Sequence, residues 1–406
     1  MTGSPAATNP GTGHAGERDC PTCGQGRMQV FYRVAEVPTN SCILLETEAA
    51  AREWPKGEIA LAACERCGFV ANIAFDKALT EYSSRYEETQ GFSPTFRKFH
   101  EQLAEELVQR HGLRGKRIVE IGCGKGEFLH LLCALGDNRG LGFDPAYVPA
   151  RDQTLRGEQV EFVADYFSSR YRVEEADFVA CKMTLEHILE TGPFVHEIRQ
   201  SVHGRDDTVV FIQVPEATRI LGQCAFEDVY YEHCSYFTPA SLATLMETHG
   251  FRVLRTDITY GDQYLTVEAS YGGGPEPDLA ARAREVGELQ AMVASFPQRV
   301  ADKMRRWRDD IRARAAAGQR ILIWGSGSKG VAFLSSLGLD ELIREAVDIN
   351  PHRRGFFMPG GGQRIVSPED LPALEPDYIV VMNAVYLDEI RAMLADKGLS
   401  PELAAL

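Results

Sequence analysis

Arg117-Ile118-Val119-Glu120-Ile121-Gly122-Cys123-Gly124-Lys125-Gly126-Glu127-Phe128-Leu129 is the stretch whose reading decides the fold. An apolar strand runs into three alternating glycines and then into a helix that starts near Glu127. Glycines at such a point let backbone approach a ligand at the carboxyl end of the strand, where open α/β sheets bind cofactors. The spacing Glu-x-Gly-x-Gly-x-Gly is not the Gly-x-Gly-x-x-Gly of a dinucleotide fold. Upstream, Phe96, Phe99, Leu103, Leu107 and Val108 recur at helical spacing, with Ser93-Pro94 as N-cap and first helical position. Downstream come four more apolar strands: Gly140-Leu141-Gly142-Phe143-Asp144, Val160-Glu161-Phe162-Val163-Ala164-Asp165, Ala176-Asp177-Phe178-Val179-Ala180-Cys181 and Val209-Val210-Phe211-Ile212-Gln213-Val214-Pro215. A pair near residues 251–254 and 264–269 completes a seven-stranded sheet.

This series resembles the class I S-adenosylmethionine-dependent methyltransferases. The resemblance makes Glu120, Gly122, Gly124 and Gly126 the cofactor loop. It implies that Asp144 accepts from the ribose hydroxyls and that Asp165 meets the adenine amino group. The segment Leu185-Glu186-His187 after the fourth strand is similar to the family's acid-histidine turn.

On the amino-terminal side, Cys20-Pro-Thr-Cys23 and Cys64-Glu-Arg-Cys67-Gly68 form two knuckles. Each brings two thiolates to one tetrahedral ion, and the glycine permits the tight turn. Four thiolates leave no open coordination position, so the expectation is a structural Zn2+ on Cys20, Cys23, Cys64 and Cys67. The intervening chain is expected to house a loop or small sheet around Ile43, Leu44 and Leu45. On the carboxyl-terminal side, Gly272-Gly273-Gly274-Pro275 reads as a linker, followed by helix interrupted at Pro297. The strand Ile321-Leu322-Ile323-Trp324 then opens into Gly325-Ser326-Gly327-Ser328-Lys329-Gly330, a Gly-x-Gly-x-x-Gly before a helix, with Asp348 at the distance of a ribose-binding acid. Only two further strands are evident, near Ile365 and Tyr378, so this unit reads as a truncated Rossmann-like domain whose helix start suits an anion.

The expected organisation is α/β: a leader over 1–19, a zinc-binding module over 20–90, the methyltransferase core over 91–271, linker and helices over 272–318, and the Rossmann-like domain over 319–406. The chain has 406 residues with 43 Lys and Arg against 58 Asp and Glu, a formal charge of −15, which argues against a nucleic-acid partner. No apolar run approaches the roughly 18 residues of a membrane span, and residues 1–19 lack the apolar segment of a signal peptide. A cytoplasmic monomer is expected, with ten cysteines that bind metal or stay buried as thiols, Cys181 and Cys234 among the latter.

The order of units resembles the C-methyltransferases that place a branch methyl on nucleotide-activated ketosugars. Asp228-Val229-Tyr230-Tyr231-Glu232-His233-Cys234-Ser235-Tyr236-Phe237 is similar to that family's Tyr-His-Glu-His block, with Tyr231 where a histidine is common. Carbon becomes nucleophilic only after losing a proton, so such a site needs a base and a donor for the enolate oxygen. The resemblance assigns His233 as base, Glu232 to a substrate hydroxyl, Tyr230 as phenol donor and His187 as a second stabiliser of the enolate. In an extended segment Tyr230 would share a side with Glu232. A tyrosine ahead of the core completes the set, with Tyr86 preferred and Tyr82 read, like Tyr236, as half-buried packing. Arg353 and Arg354 are candidates for the nucleotide or for plain surface. Three rivals remain at this level: a methyltransferase of a heteroatom or non-sugar acceptor in secondary metabolism, a nicotinamide oxidoreductase using residues 325–330, and a zinc-ribbon interaction protein with a decayed core.

Overall fold

The computed structural model describes residues 18–83, 85–149, 159–173, 175–202 and 205–406. Of the expected leader, residues 1–17 lie outside the described residues, whereas Arg18 and Asp19 form a short strand. The amino-terminal module comprises β1 (Arg18–Asp19), β2 (Arg27–Pro38), α1 (Glu48–Arg52), β3 (Lys56–Cys64) and β4 (Val70–Asn72). The chain between the cysteine knuckles is therefore the β2–β3 pair. The 43–45 run makes only isolated bridges, Ile43 to Tyr86 and Leu45 to Phe357.

The core follows with α2 (Pro94–Arg110), β5 (Arg117–Ile121), α3 (Glu127–Gly136), β6 (Arg139–Phe143), β7 (Val160–Val163), β8 (Phe178–Lys182), α4 (Thr191–Ser201), β9 (Val209–Pro215), α5 (Ala217–Gln223), β10 (Ser235–Tyr236), α6 (Pro239–Thr248), β11 (Arg252–Thr259) and β12 (Tyr264–Ser270). Its seven-stranded sheet has the order β11-β12-β9-β8-β5-β6-β7, parallel except for β12, which is antiparallel to both of its neighbours, β9 and β11. Strands β5, β8 and β9 are apolar on both faces because helices cover both sides, and Ile118, Val119, Phe178, Val179 and Val210 are fully buried. Strand order reverses between β5 and β8, which opens a crevice above the carboxyl end of β5. The module is not closed at residue 90: β10, from within the core segment, pairs with β4 and completes the module's sheet.

Residues 279–316 form one helix, α7 (Leu279–Ala316), which Pro297 does not interrupt. Pro297 leaves the Val293 carbonyl without its usual donor. Phe296 is wholly buried and packs edge-on against Phe31 and Tyr32 of β2, so packing on both sides of the proline holds the helix. This segment is a strut between units, more than a linker.

The last unit contains β13 (Ile321–Trp324), α8 (Ser328–Leu337), β14 (Glu345–Val347), β15 (Arg364–Val366), α9 (Leu371–Leu374), β16 (Tyr378–Val381), α10 (Leu387–Asp396) and β17 (Glu402–Ala405). Its sheet, β15-β14-β13-β16-β17, is parallel throughout. The unit is thus less truncated than its sequence suggests, because β17, a short Glu-Leu-Ala-Ala strand, adds a fifth member. Among the described residues no helix is long and apolar enough to cross a membrane.

Candidate active site

One cavity of about 860 Å³ runs from the glycine loop after β5 to the glycine loop after β13. At its first end, Gly122, Gly124 and Gly126 take φ of 71°, 55° and 85°. A Cβ on Gly122 would lie 1.9 Å from Thr184 Oγ1, so only glycine fits there. Gly126 caps α3 without a side-chain hydrogen bond, and the Leu129 N–H of that first turn meets the Glu120 carboxyl instead. Asp144, just past β6, accepts the Gly124 N–H at 2.9 Å and the Ala146 N–H at 2.7 Å; burial raises its pKa. Asp165, past β7, lines the same end and accepts the Tyr171 hydroxyl at 2.6 Å, which holds its carboxyl low. Glu120 on β5 is buried and pushed up to about 8 by desolvation, with one oxygen lacking a partner. Glu88, missed in the sequence, joins it in the wall and is pushed up to about 7 by burial. A glycine-lined cradle with buried carboxyls fits a ligand that carries a cation beside polar groups, as a sulfonium amino acid does.

Midway along the cavity lies a cluster of rings. The chain turns at 231–234, so Tyr230 pairs with His233, its hydroxyl 2.7 Å from Nε2. His187, on the single turn Leu185–His187 after β8, packs its ring 4.8 Å from that of His233. Its Nδ1 lies 3.1 Å from the Glu232 carbonyl and 2.9 Å from the Tyr82 hydroxyl. A carbonyl only accepts, so Nδ1 carries the proton and Nε2 keeps its lone pair. Burial lowers His187 to about 4 and, with help from His187, holds His233 well below the ordinary imidazole range. A neutral His187 with a bare Nε2 has no N–H to donate into the cavity.

Two assignments change with this turn. Glu232 does not share a side with Tyr230. Its oxygens accept Asn40 Nδ2 at 2.9 Å, the Ser41 N–H at 2.7 Å and the Ser41 hydroxyl, and it tethers the module outside the cavity wall. Ser41 in turn meets Ser328 of α8, its hydroxyl 2.7 Å from the serine there. Tyr82 is not simple packing, since it reaches His187 and lines the cavity together with Tyr86, ring centroids 5.2 Å apart. Tyr231 points away: its hydroxyl accepts the Asp76 N–H at 2.8 Å and its ring fills the space above Gly57. Its replacement of a histidine therefore leaves the cavity untouched. Glu186, the acid of that Leu185–His187 turn, is fully buried beside both imidazoles.

At the far end, Asp348 accepts from the Ser326 N–H and hydroxyl and from the Asn350 N–H. Arg353 is buried in the wall, donating to Ser326 Oγ at 3.2 Å and to the Glu87 carbonyl. Lys329 meets Asp228 at 2.7 Å. Arg354 is exposed and paired with Asp370.

Away from the cavity, the Sγ atoms of Cys20, Cys23, Cys64 and Cys67 converge, with Cys20 and Cys67 at 3.7 Å and Cys23 and Cys64 at 3.8 Å. Tetrahedral thiolates about 2.3 Å from one ion would stand about 3.8 Å apart.

The family described as "Methyltransferase domain" matches residues 96–256, and the family described as "C-methyltransferase C-terminal domain" matches residues 280–398. C-methyltransferase NovU of Streptomyces niveus is 29% identical over 310 residues, 71% of each chain. The chain thus carries both a methyltransferase domain and a C-methyltransferase C-terminal domain, which makes it an S-adenosylmethionine-dependent methyltransferase of the C-methylating kind. The core alone is also similar to the ubiquinone biosynthesis O-methyltransferase of Salmonella typhimurium, 27% identical over 126 residues, 30% of this chain and 52% of that one. Among solved structures, magnesium protoporphyrin IX methyltransferase of Synechocystis with bound SAH overlays with TM-score 0.36 at 18% identity, covering 43% of this chain and 83% of that one. In the C-methyltransferase the cofactor, when bound, supplies an electrophilic methyl to a carbon of the acceptor.

Proposed function

We propose that this C-methyltransferase acts on a carbon next to the ketone of a nucleotide-linked keto-deoxysugar, with His233 as base. The observation that carries the reading is the single cavity with carboxyls at one end, cations and a second glycine loop at the other, and the imidazole–phenol cluster between. Its volume, about 860 Å³, matches a large ligand site. Amides at the start of α8 and the Arg353 guanidinium suit a diphosphate. His233, neutral at working pH, takes the proton beside the ketone, while Tyr230 and Tyr82 offer hydroxyls to the enolate oxygen. The glycine loop, Glu120, Asp144 and Asp165 hold the cofactor. A hydroxyl acceptor would also call on a base, but it would need no donor for an enolate oxygen.

His233→Ala should cut turnover by about 10³-fold and leave S-adenosylhomocysteine binding unchanged. In D2O the wild type should exchange deuterium into the carbon beside the ketone, and the variant should not. An active alanine variant removes the base, and a product methylated on oxygen or nitrogen removes the acceptor class.

We infer further that the four-cysteine cluster holds a structural Zn2+. Purified protein should carry about one zinc per chain, and Cys20→Ser should lose it together with several degrees of melting temperature. A metal-free variant as stable as the wild type would reject that assignment.

A further inference from the structure

Glu186 is, among the described residues, the buried carboxyl of the cavity wall with neither oxygen hydrogen-bonded. Taking such a group out of water without a partner is unfavourable, which points to a partner that arrives with the reactants. One oxygen already lies 4.0 Å from His233 Nε2. We propose that Glu186 is the charge-balancing partner of His233: its carboxylate offsets the sulfonium when the cofactor binds and then holds the imidazolium formed on His233. The inference rests on His233 being the base.

Charge conservation in a closed site supports it. Before reaction the sulfonium is +1, Glu186 is −1, and the imidazole and ketone are neutral. Proton removal leaves the C–H electron pair on the acceptor as an enolate and puts the proton on His233, so two new opposite charges appear. The enolate carbon's pair then forms the C–C bond and the S–CH3 pair returns to sulfur, leaving a neutral thioether, a neutral ketone, imidazolium and carboxylate. Over these four groups the sum is zero at every stage with Glu186 ionised, and +1 without it. A buried unpaired charge is strongly unfavourable.

The surroundings agree. Burial, His187 and Lys329 make His233 a weak base, Asp228 works in the opposite sense, and an anion 4.0 Å away adds to its proton affinity. Without ligand, burial pushes Glu186 up to about 8, so it rests as a neutral acid. Lys182 of β8 is the cation that acts on it; burial draws that charge down, and its Nζ is turned to His100 Nε2 at 3.1 Å. The nearby hydroxyls and thiols of Tyr82, Tyr230, Cys181 and Cys234 are all pushed up and stay neutral.

Calorimetry at pH 7 in two buffers of different ionisation heat tests the idea. The wild type should release close to one more proton on binding S-adenosylmethionine than on binding S-adenosylhomocysteine. Glu186→Gln should abolish that difference, keep S-adenosylhomocysteine binding, and lower kcat about 10²-fold or more with loss of the rise in kcat/KM up to pH about 8. A wild type with no sulfonium-specific proton release overturns the proposal even where the glutamine variant fails to fold. So does a variant that keeps the release or the rate. An inactive His233→Ala beside a fully active Glu186→Gln sinks this inference and leaves the base standing; an active His233→Ala sinks the base.

Discussion

Residues 122–126 after β5 and residues 325–330 after β13 build the same local frame at opposite ends of one cavity. In each, the strand ends on a glycine of positive φ, 71° at Gly122 and 114° at Gly325. An amide of each loop then donates to the acid that ends the next strand, Gly124 to Asp144 at 2.9 Å and Ser326 to Asp348 at 3.1 Å. The second oxygen takes an amide two residues on, Ala146 at 2.7 Å and Asn350 at 2.9 Å. The frames differ in what surrounds them. Glu88 and Glu120 stand around the first, and the lysine of its loop, Lys125, is spent on the Tyr86 and Ala146 carbonyls and on Glu88. Arg353 and Lys329 stand around the second. A shared backbone cradle is thus lined by carboxyls at one end and by cations at the other through a few side chains.

The sharpest break in that likeness comes from filling the glycines. Gly122→Ala would set its Cβ 1.9 Å from Thr184 Oγ1 at a φ of 71°, so cofactor binding should weaken at least about 100-fold and the melting temperature should fall. Gly327→Ala meets nothing nearer than 3.8 Å, and it should stay within about 0.5 kcal/mol of the wild type in stability. Thermal melting and S-adenosylhomocysteine titration measure both. Equal damage from the two would mean that the second loop is as tightly closed as the first.

Legibility followed the range of the interactions. The first glycine loop and its strands could be read because close backbone approach and apolar runs are local facts, and five such signals in order leave few folds. The strand β17 could not, since Glu402-Leu403-Ala404-Ala405 has no strand signal until β16 offers it an edge. The course of α7 through Pro297 depends on β2, far away in sequence. In the site, the family resemblance points to His187, Tyr230 and His233, but not to their pairing, because an extended segment is the local expectation where the chain turns. That turn sends Glu232 to Asn40 and Ser41, about 190 residues earlier in the chain. Glu186 stood inside a quoted motif and was passed over, because a missing hydrogen bond leaves no mark on a sequence.

The smallest and most discriminating effect concerns two adjacent arginines that sequence treats alike. Arg353 is buried in the wall with its guanidinium on Ser326, whereas the Arg354 side chain is 55% exposed and paired with Asp370. If the second cradle takes a diphosphate, Arg353→Met should raise KM for a nucleotide-sugar about 10- to 100-fold, since a charge-assisted hydrogen bond contributes roughly 1.5–3 kcal/mol. The dissociation constant for S-adenosylmethionine should not move. Arg354→Gln should change neither beyond about twofold, as exposed ion pairs contribute little. Steady-state kinetics with a nucleoside diphosphate as competitor reads both. An effect of Arg353→Met on cofactor affinity with no change in KM for the sugar would place the anion elsewhere and leave the second frame a structural echo of the first.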